Sequence, residues 1–111
     1  MSNLLDLIVE KLDSNKANDI TVMDFRNENP LCDYFVVCDG SSLRQINALA
    51  DNLAEVLAEN NYPVRTIERE TESSWILLDA YDVIVHIFFS DDRNHYNLEK
   101  LYREYVKEIV L

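Results

Sequence analysis

The stretch WILLDAYDVIVHIFF, residues 75–89, holds two apolar runs, 76–78 and 83–89, parted by Asp79, Ala80, Tyr81 and Asp82. Two such runs around a short acidic break read as a β-hairpin. The second run is almost continuously apolar, so its strand is expected to be covered on both faces. A strand of that kind needs helices or a second sheet on either side, and the rest of the chain must supply them.

Upstream, Ser42 with Gln45 three residues later has the capping-box pattern, and Ile46, Leu49, Ala50, Leu53, Ala54 and Leu57 continue as one helical stripe to about Asn60. This helix is flanked by an apolar run at 34–38 (YFVVC) and by 64–68, whose alternate charges Arg65 and Glu68 suit a less buried strand. If those two strands share a sheet, the unit implies parallel pairing with a right-handed crossover. Nearer the start, Leu4, Leu5, Ile8, Val9 and Leu12 mark a first helix capped by Asn3. Residues 19–24 (DITVMD) suit a strand, and 25–30 and 69–74 read as loops. Downstream, 91–94 form a polar break. Leu98, Leu101, Tyr102, Tyr105, Val106 and Ile109 then predict a final helix with Asn97 as its cap. The expected fold is α/β, a mixed five-stranded sheet flanked by helices, with residues 1–111 as a single domain.

Composition narrows the function. Twenty-one Asp and Glu against ten Lys and Arg give a net charge of −11, which repels nucleic-acid phosphates and anionic membranes and favours basic protein partners. No apolar run approaches the roughly 20 residues of a membrane span, and the first residues lack the basic start of a signal peptide, so a cytoplasmic protein is expected. Cys32 and Cys38 stand too far apart for a CxxC pair and are too few for a zinc site, so they read as buried free thiols.

Candidate chemistry is sparse. Gly40-Ser41 at a strand–helix junction invites a phosphate-binding loop, but no GKS/T arrangement or further glycine accompanies it. The same turn suits a nucleotidyltransferase, which needs two acids spaced D-x-D on one strand to hold its metals. Asp82, Ile84 and His86 share a face of the last hairpin strand, and Ile84 stands where the second acid would be required. Neither His86 nor His95 lies near a nucleophile, and Arg93 and Tyr96 beside His95 make it a candidate contact instead. A binding module without cofactor or metal is the expectation. A nucleotide-binding relative of the nucleotidyltransferases and a homodimeric scaffold stay open as alternatives. Trp75 and Tyr81, at the mouth and tip of the hairpin, are candidate anchors.

Three segments carry a resemblance to a known family: DYFVVCDGSSLRQINALADNL from Asp33, WILLDAYDVIVHIF from Trp75, and RNHYNLEKLY from Arg93. In order and spacing they resemble the ribosomal silencing factor family, also called Iojap-related proteins. The resemblance implies a nucleotidyltransferase-like fold without catalytic residues. It also implies a non-enzymatic factor that binds the large ribosomal subunit through ribosomal protein fourteen and blocks subunit joining when nutrients are short. Dimerisation is a further implication. Matching the family motifs places the expected protein contacts at Trp75, Asp79, Asp82, His86, Tyr96 and Leu98. One departure is Tyr81, which stands where the family's hairpin tip commonly has glycine.

Overall fold

The computed structural model describes residues 3–26, 32–69 and 74–107 and, within these, all side chains except those of Asn94, His95, Tyr96, Glu99 and Lys107. Helix α1 (Asn3–Ser14) turns Leu4, Leu5, Ile8, Val9 and Leu12 inward, as their spacing predicts. It stops at Lys16, whose φ of 64° brings its N–H to the Asp13 carbonyl and the Ala17 N–H to the Leu12 carbonyl. Those are the paired bonds of a Schellman motif, formed here without glycine. Strands β1 (Asn18–Asp24) and β2 (Tyr34–Gly40) follow, each slightly longer than its apolar run.

Helix α2 (Leu43–Glu59) begins where Ser42 Oγ accepts the Gln45 N–H at 3.0 Å. Gln45 Oε1 reaches back to the Ser41 N–H at 2.7 Å, one residue earlier than in a standard capping box. The helix ends in a second Schellman motif, with Asn61 at φ 63° and the Tyr62 N–H on the Leu57 carbonyl, and Pro63 prevents continuation. Three strands come next: β3 (Thr66–Glu68), β4 (Trp75–Asp79) and β5 (Val83–Phe89).

The sheet order is β3-β4-β5-β2-β1, with a two-residue strand β6 (Val106–Lys107) beyond β1. The five expected strands are present, and β6 adds to them. Strand β2 pairs in parallel with β5 through seven residues, from Tyr34 opposite Val83 to Gly40 opposite Phe89. The expected pairing across α2 is therefore corrected. Strand β3 runs in the same direction as β2 but lies three places away, because the β4–β5 hairpin occupies the intervening slots. Strand β5, apolar on both faces, takes a central slot, and the short charged β3 takes the edge.

The second correction concerns the C-terminal part. Residues 91–94, expected as a break, lie within α3 (Ser90–Tyr96). The expected long final helix is instead a single turn, α4 (Leu98–Leu101), a 3₁₀ turn at Arg103–Tyr105, and β6. Asn97 does cap α4, its side chain accepting the Lys100 N–H at 3.3 Å, but its own φ of 48° bends the chain between α3 and α4. Val106 then pairs with Met23 of β1, so a sheet edge outcompetes helix propagation. Ile109 and loop residues 27–31 and 70–73 lie outside the described residues.

Helices α1 and α2 pack together against one face of the sheet and close the main core over Tyr34, Val36, Cys38, Ile76, Leu78, Val83, Val85 and Ile87. Both cysteines are free and buried, and burial pushes the Cys38 thiol up to about 12.

One ion pair joins α3 to the sheet. Arg93 Nη1 donates to Asp39 Oδ2 at 2.8 Å, Arg93 Nη2 donates to Thr21 Oγ1 at 3.1 Å, and Ser90 Oγ donates to Asp39 Oδ1 at 2.7 Å. Asp39 is 5% exposed and Arg93 8%, so neither charge has water to fall back on. Replacing Arg93 alone strands a buried carboxylate. Arg93→Ala should lower unfolding free energy by about 3 to 5 kcal/mol in denaturant titration, and the double variant Asp39→Leu with Arg93→Leu should recover much of that loss.

Candidate functional site

Strand alternation gives the sheet a second face, opposite the helices. Trp75, Leu77 and Asp79 of β4 stand on it beside Ile84, His86 and Phe88 of β5, Phe35 and Val37 of β2, and Met23 of β1. Met23, Phe25, Cys32, Val37 and Phe88 are its buried base. Among the described residues Arg93 of α3 covers its Asp39–Thr21 end, and Leu98 of α4 with Tyr102 and Tyr105 around the 3₁₀ turn pack against its apolar part. Phe35, Trp75, Leu77 and Ile84 consequently remain half-buried.

Aromatic rings run across this face without a gap. The Trp75 and His86 centroids are 5.7 Å apart, His86 and Phe35 4.6 Å, and Phe35 and Tyr102 5.6 Å, the last two pairs edge to face. Phe25 extends the chain, 5.2 Å from Tyr102 and 4.8 Å from Tyr105. Offset and edge-on ring pairs of this kind add about 0.5 to 1.5 kcal/mol each beyond their area burial, so the face is preassembled.

The structure brings Trp75, His86 and Leu98 together on this face. Trp75 Nε1 donates to His86 Nδ1 at 3.1 Å. His86 itself is only 4% exposed, so the contact expected of it reaches the surface through Trp75. Its Nε2 is buried and, among the described residues, has no hydrogen-bond partner. Leaving such a donor unpaired costs about 1 to 3 kcal/mol. Burial pushes the His86 imidazole down from 6.5 to about 4, so the ring is neutral at physiological pH.

The acids lie apart from this group. Asp79 shares the face but sits four residues along β4 from Trp75, roughly 13 Å at strand rise. Its Oδ1 accepts the Tyr81 N–H at 2.9 Å, which closes the hairpin turn. Asp82 is exposed beyond the tip. With Asp33, Tyr62 and Tyr81 it lines a hollow of about 300 Å³ that also touches Asn3 and Leu4 of α1. Its carbonyl accepts the N–H groups of Asp33 and Tyr34 and so seats the start of β2. The Tyr96 side chain and that of His95 lie outside the described residues. Arg93, expected beside them as a surface neighbour, is instead the buried partner of Asp39.

Two further points bear on chemistry. Gln45 Oε1 occupies the Ser41 N–H and also accepts from Ser41 Oγ at 3.0 Å, so the start of α2 is closed by its own side chain. A Cβ on Gly40 would stand 2.9 Å from Ile46 Cγ2, which explains the glycine by close strand–helix approach. Sequence reasoning missed Phe35, Leu77, Ile84 and Tyr102 as parts of the open face. The signal was present in the alternation 75, 77, 79 against 84, 86, 88, but the continuous apolar run of β5 read as a strand covered on both sides.

Comparison with known proteins adds a family relation. The model described as "Ribosomal silencing factor during starvation" matches residues 1–110. Ribosomal silencing factor RsfS of Halalkalibacterium halodurans is 36% identical over 104 residues, covering 92% of this chain and 89% of that protein. Its namesake from Bacillus subtilis strain 168 is 36% identical over 100 residues, covering 90% and 85%. A crystal structure of a Chromobacterium violaceum protein superposes with a TM-score of 0.86 at 30% identity, over 93% of this chain and 88% of that one.

Two outcomes are expected. Because the unfolded chain binds a proton at His86 more tightly than the folded one, stability contributed by the neutral ring is complete above pH 6.5 and lost as pH falls towards 4, by roughly 3 kcal/mol in all. Denaturant midpoints measured across that window should show the loss, and His86→Phe should shrink it by about that amount. Tyr81, 49% exposed, holds a φ of 69° at the hairpin tip, a conformation that costs a residue with a side chain on the order of 1 kcal/mol. Tyr81→Gly should raise the thermal midpoint by a few degrees, and an unchanged or lower midpoint would show that the tyrosine ring compensates for its backbone.

Proposed function

The chain belongs to the ribosomal silencing factor family, and from that premise we propose that it lowers translation under nutrient limitation by binding the large ribosomal subunit through ribosomal protein fourteen (uL14). Its bulk then stands where the small subunit must join. The action is steric and non-enzymatic, and its compartment is the cytoplasm.

The observation that carries this reading is the half-buried aromatic face of β4, β5 and β2. Apolar surface left open on one side of a sheet, rimmed by polar groups, is the usual form of a protein-docking patch. Trp and Tyr supply large contact area for little rotamer entropy, which favours Trp75 and Tyr96 as anchors, and Leu98 packs against the same apolar cluster as Trp75. Asp79 and Asp82 extend the contact region towards the hairpin tip, where carboxylates can meet a basic surface. The net charge of −11 speeds encounter with such a surface, while the apolar anchors set the lifetime of the complex.

Trp75→Ala should weaken cosedimentation with purified large subunits by roughly thirtyfold, equivalent to about 2 kcal/mol, while circular dichroism stays that of the wild type. In a light-scattering assay of subunit reassociation the wild type should suppress the signal and the variant should suppress it far less. Wild-type binding by a folded Trp75→Ala protein would move the docking face elsewhere.

A further inference from the structure

We propose that His86 is a positioning residue, which holds the Trp75 indole in the orientation in which the open face meets its partner. The inference rests on Trp75 as a docking contact and deepens that reading. An indole N–H can only donate, so the 3.1 Å bond from Trp75 Nε1 makes His86 Nδ1 the acceptor and leaves the single proton of the neutral ring on Nε2. Among the described residues Nε2 then has no acceptor. Phe35, at 4.6 Å edge to face, and Phe88, at 6.4 Å and nearly parallel, hold the plane of the imidazole.

For stability alone this is a poor choice of side chain. A phenylalanine would fill similar space in the same aromatic layer and carry no buried donor of its own. What it could not supply is an acceptor for the indole. Trp75 stands at the first residue of β4 and is half-buried, with Phe88 at 5.1 Å under one side of its ring. Contact between tilted rings carries little direction in the plane of the indole, and the bond at Nε1 adds that direction before a partner arrives.

Trp75 is the only tryptophan in the chain, so its emission and its indole N–H signal report on this side chain alone. In the wild-type protein, nitrogen NMR should find the Nε2–H tautomer of His86 and a scalar coupling across the bond from Trp75 Nε1 to His86 Nδ1. A proton on Nδ1 would sink the idea without any variant. His86→Phe should shift the tryptophan emission and weaken large-subunit binding about tenfold. His86→Asn, which returns an oxygen acceptor near the Nδ1 position, should restore most of both. In a Trp75→Ala background His86→Phe should cost less than about twofold more. If Trp75→Ala weakens binding but His86→Phe binds within twofold of wild type, or costs the same in both backgrounds, the positioning role is wrong and the docking reading survives. If Trp75→Ala binds as wild type, the docking reading fails and this inference fails with it.

Discussion

Seven consecutive residue pairs between β2 and β5 hold this molecule together. Strand β5 also carries β4 on its other edge, so its backbone groups are paired on both sides, and its side chains are buried except for the half-buried Ile84 and Phe89. That satisfies the demand of a nearly continuous apolar strand, which loses free energy wherever it meets water. The charged β3 and the two-residue β6 are thereby left to the edges, where short strands resist further pairing. The Asp39–Arg93 pair and Ser90 then attach α3 at the end of the same two parallel strands.

The two faces of the sheet are unequal, and that inequality is the structural basis of the proposed activity. Helices α1 and α2 lie on the same side and seal it. On the other side, among the described residues, Arg93 of α3 covers one end and α4 with the 3₁₀ turn packs against a line of aromatic rings. In the proposed role, a face whose rings are already packed on one another lowers the ordering cost of binding, while its half-buried side leaves room for another protein. His86 lies at the junction of these requirements, packed like a core residue but bonded as a support for its neighbour.

Much of the fold was legible from local pattern. The stripes of α1 and α2, the Ser42 cap, the hairpin and the five main strands all follow from periodicity and end signals, because those depend on residues within a turn or two of one another. The final helix was not. Its apolar residues have helical spacing, but Asn97 adopts the left-handed conformation and Val106 finds a partner in β1, eighty-three residues earlier by numbering. No window along the chain contains that competition. The candidate site was legible in part for the same reason: Trp75 and Leu98 were marked by family motifs, whereas the burial of Arg93 and the open position of Phe35 depend on what packs over them.

By itself, then, the sequence determined the elements, the acidic charge, the absence of a second carboxylate at Ile84 and the family resemblance. Each of these is a property of residue identity or of short spacing. Only the tertiary structure decided that β2 pairs with β5, that Arg93 turns inward to Asp39, and that a buried His86 accepts the Trp75 indole N–H. These are outcomes of strand order and layer packing, in which residues far apart in the chain compete for the same buried space.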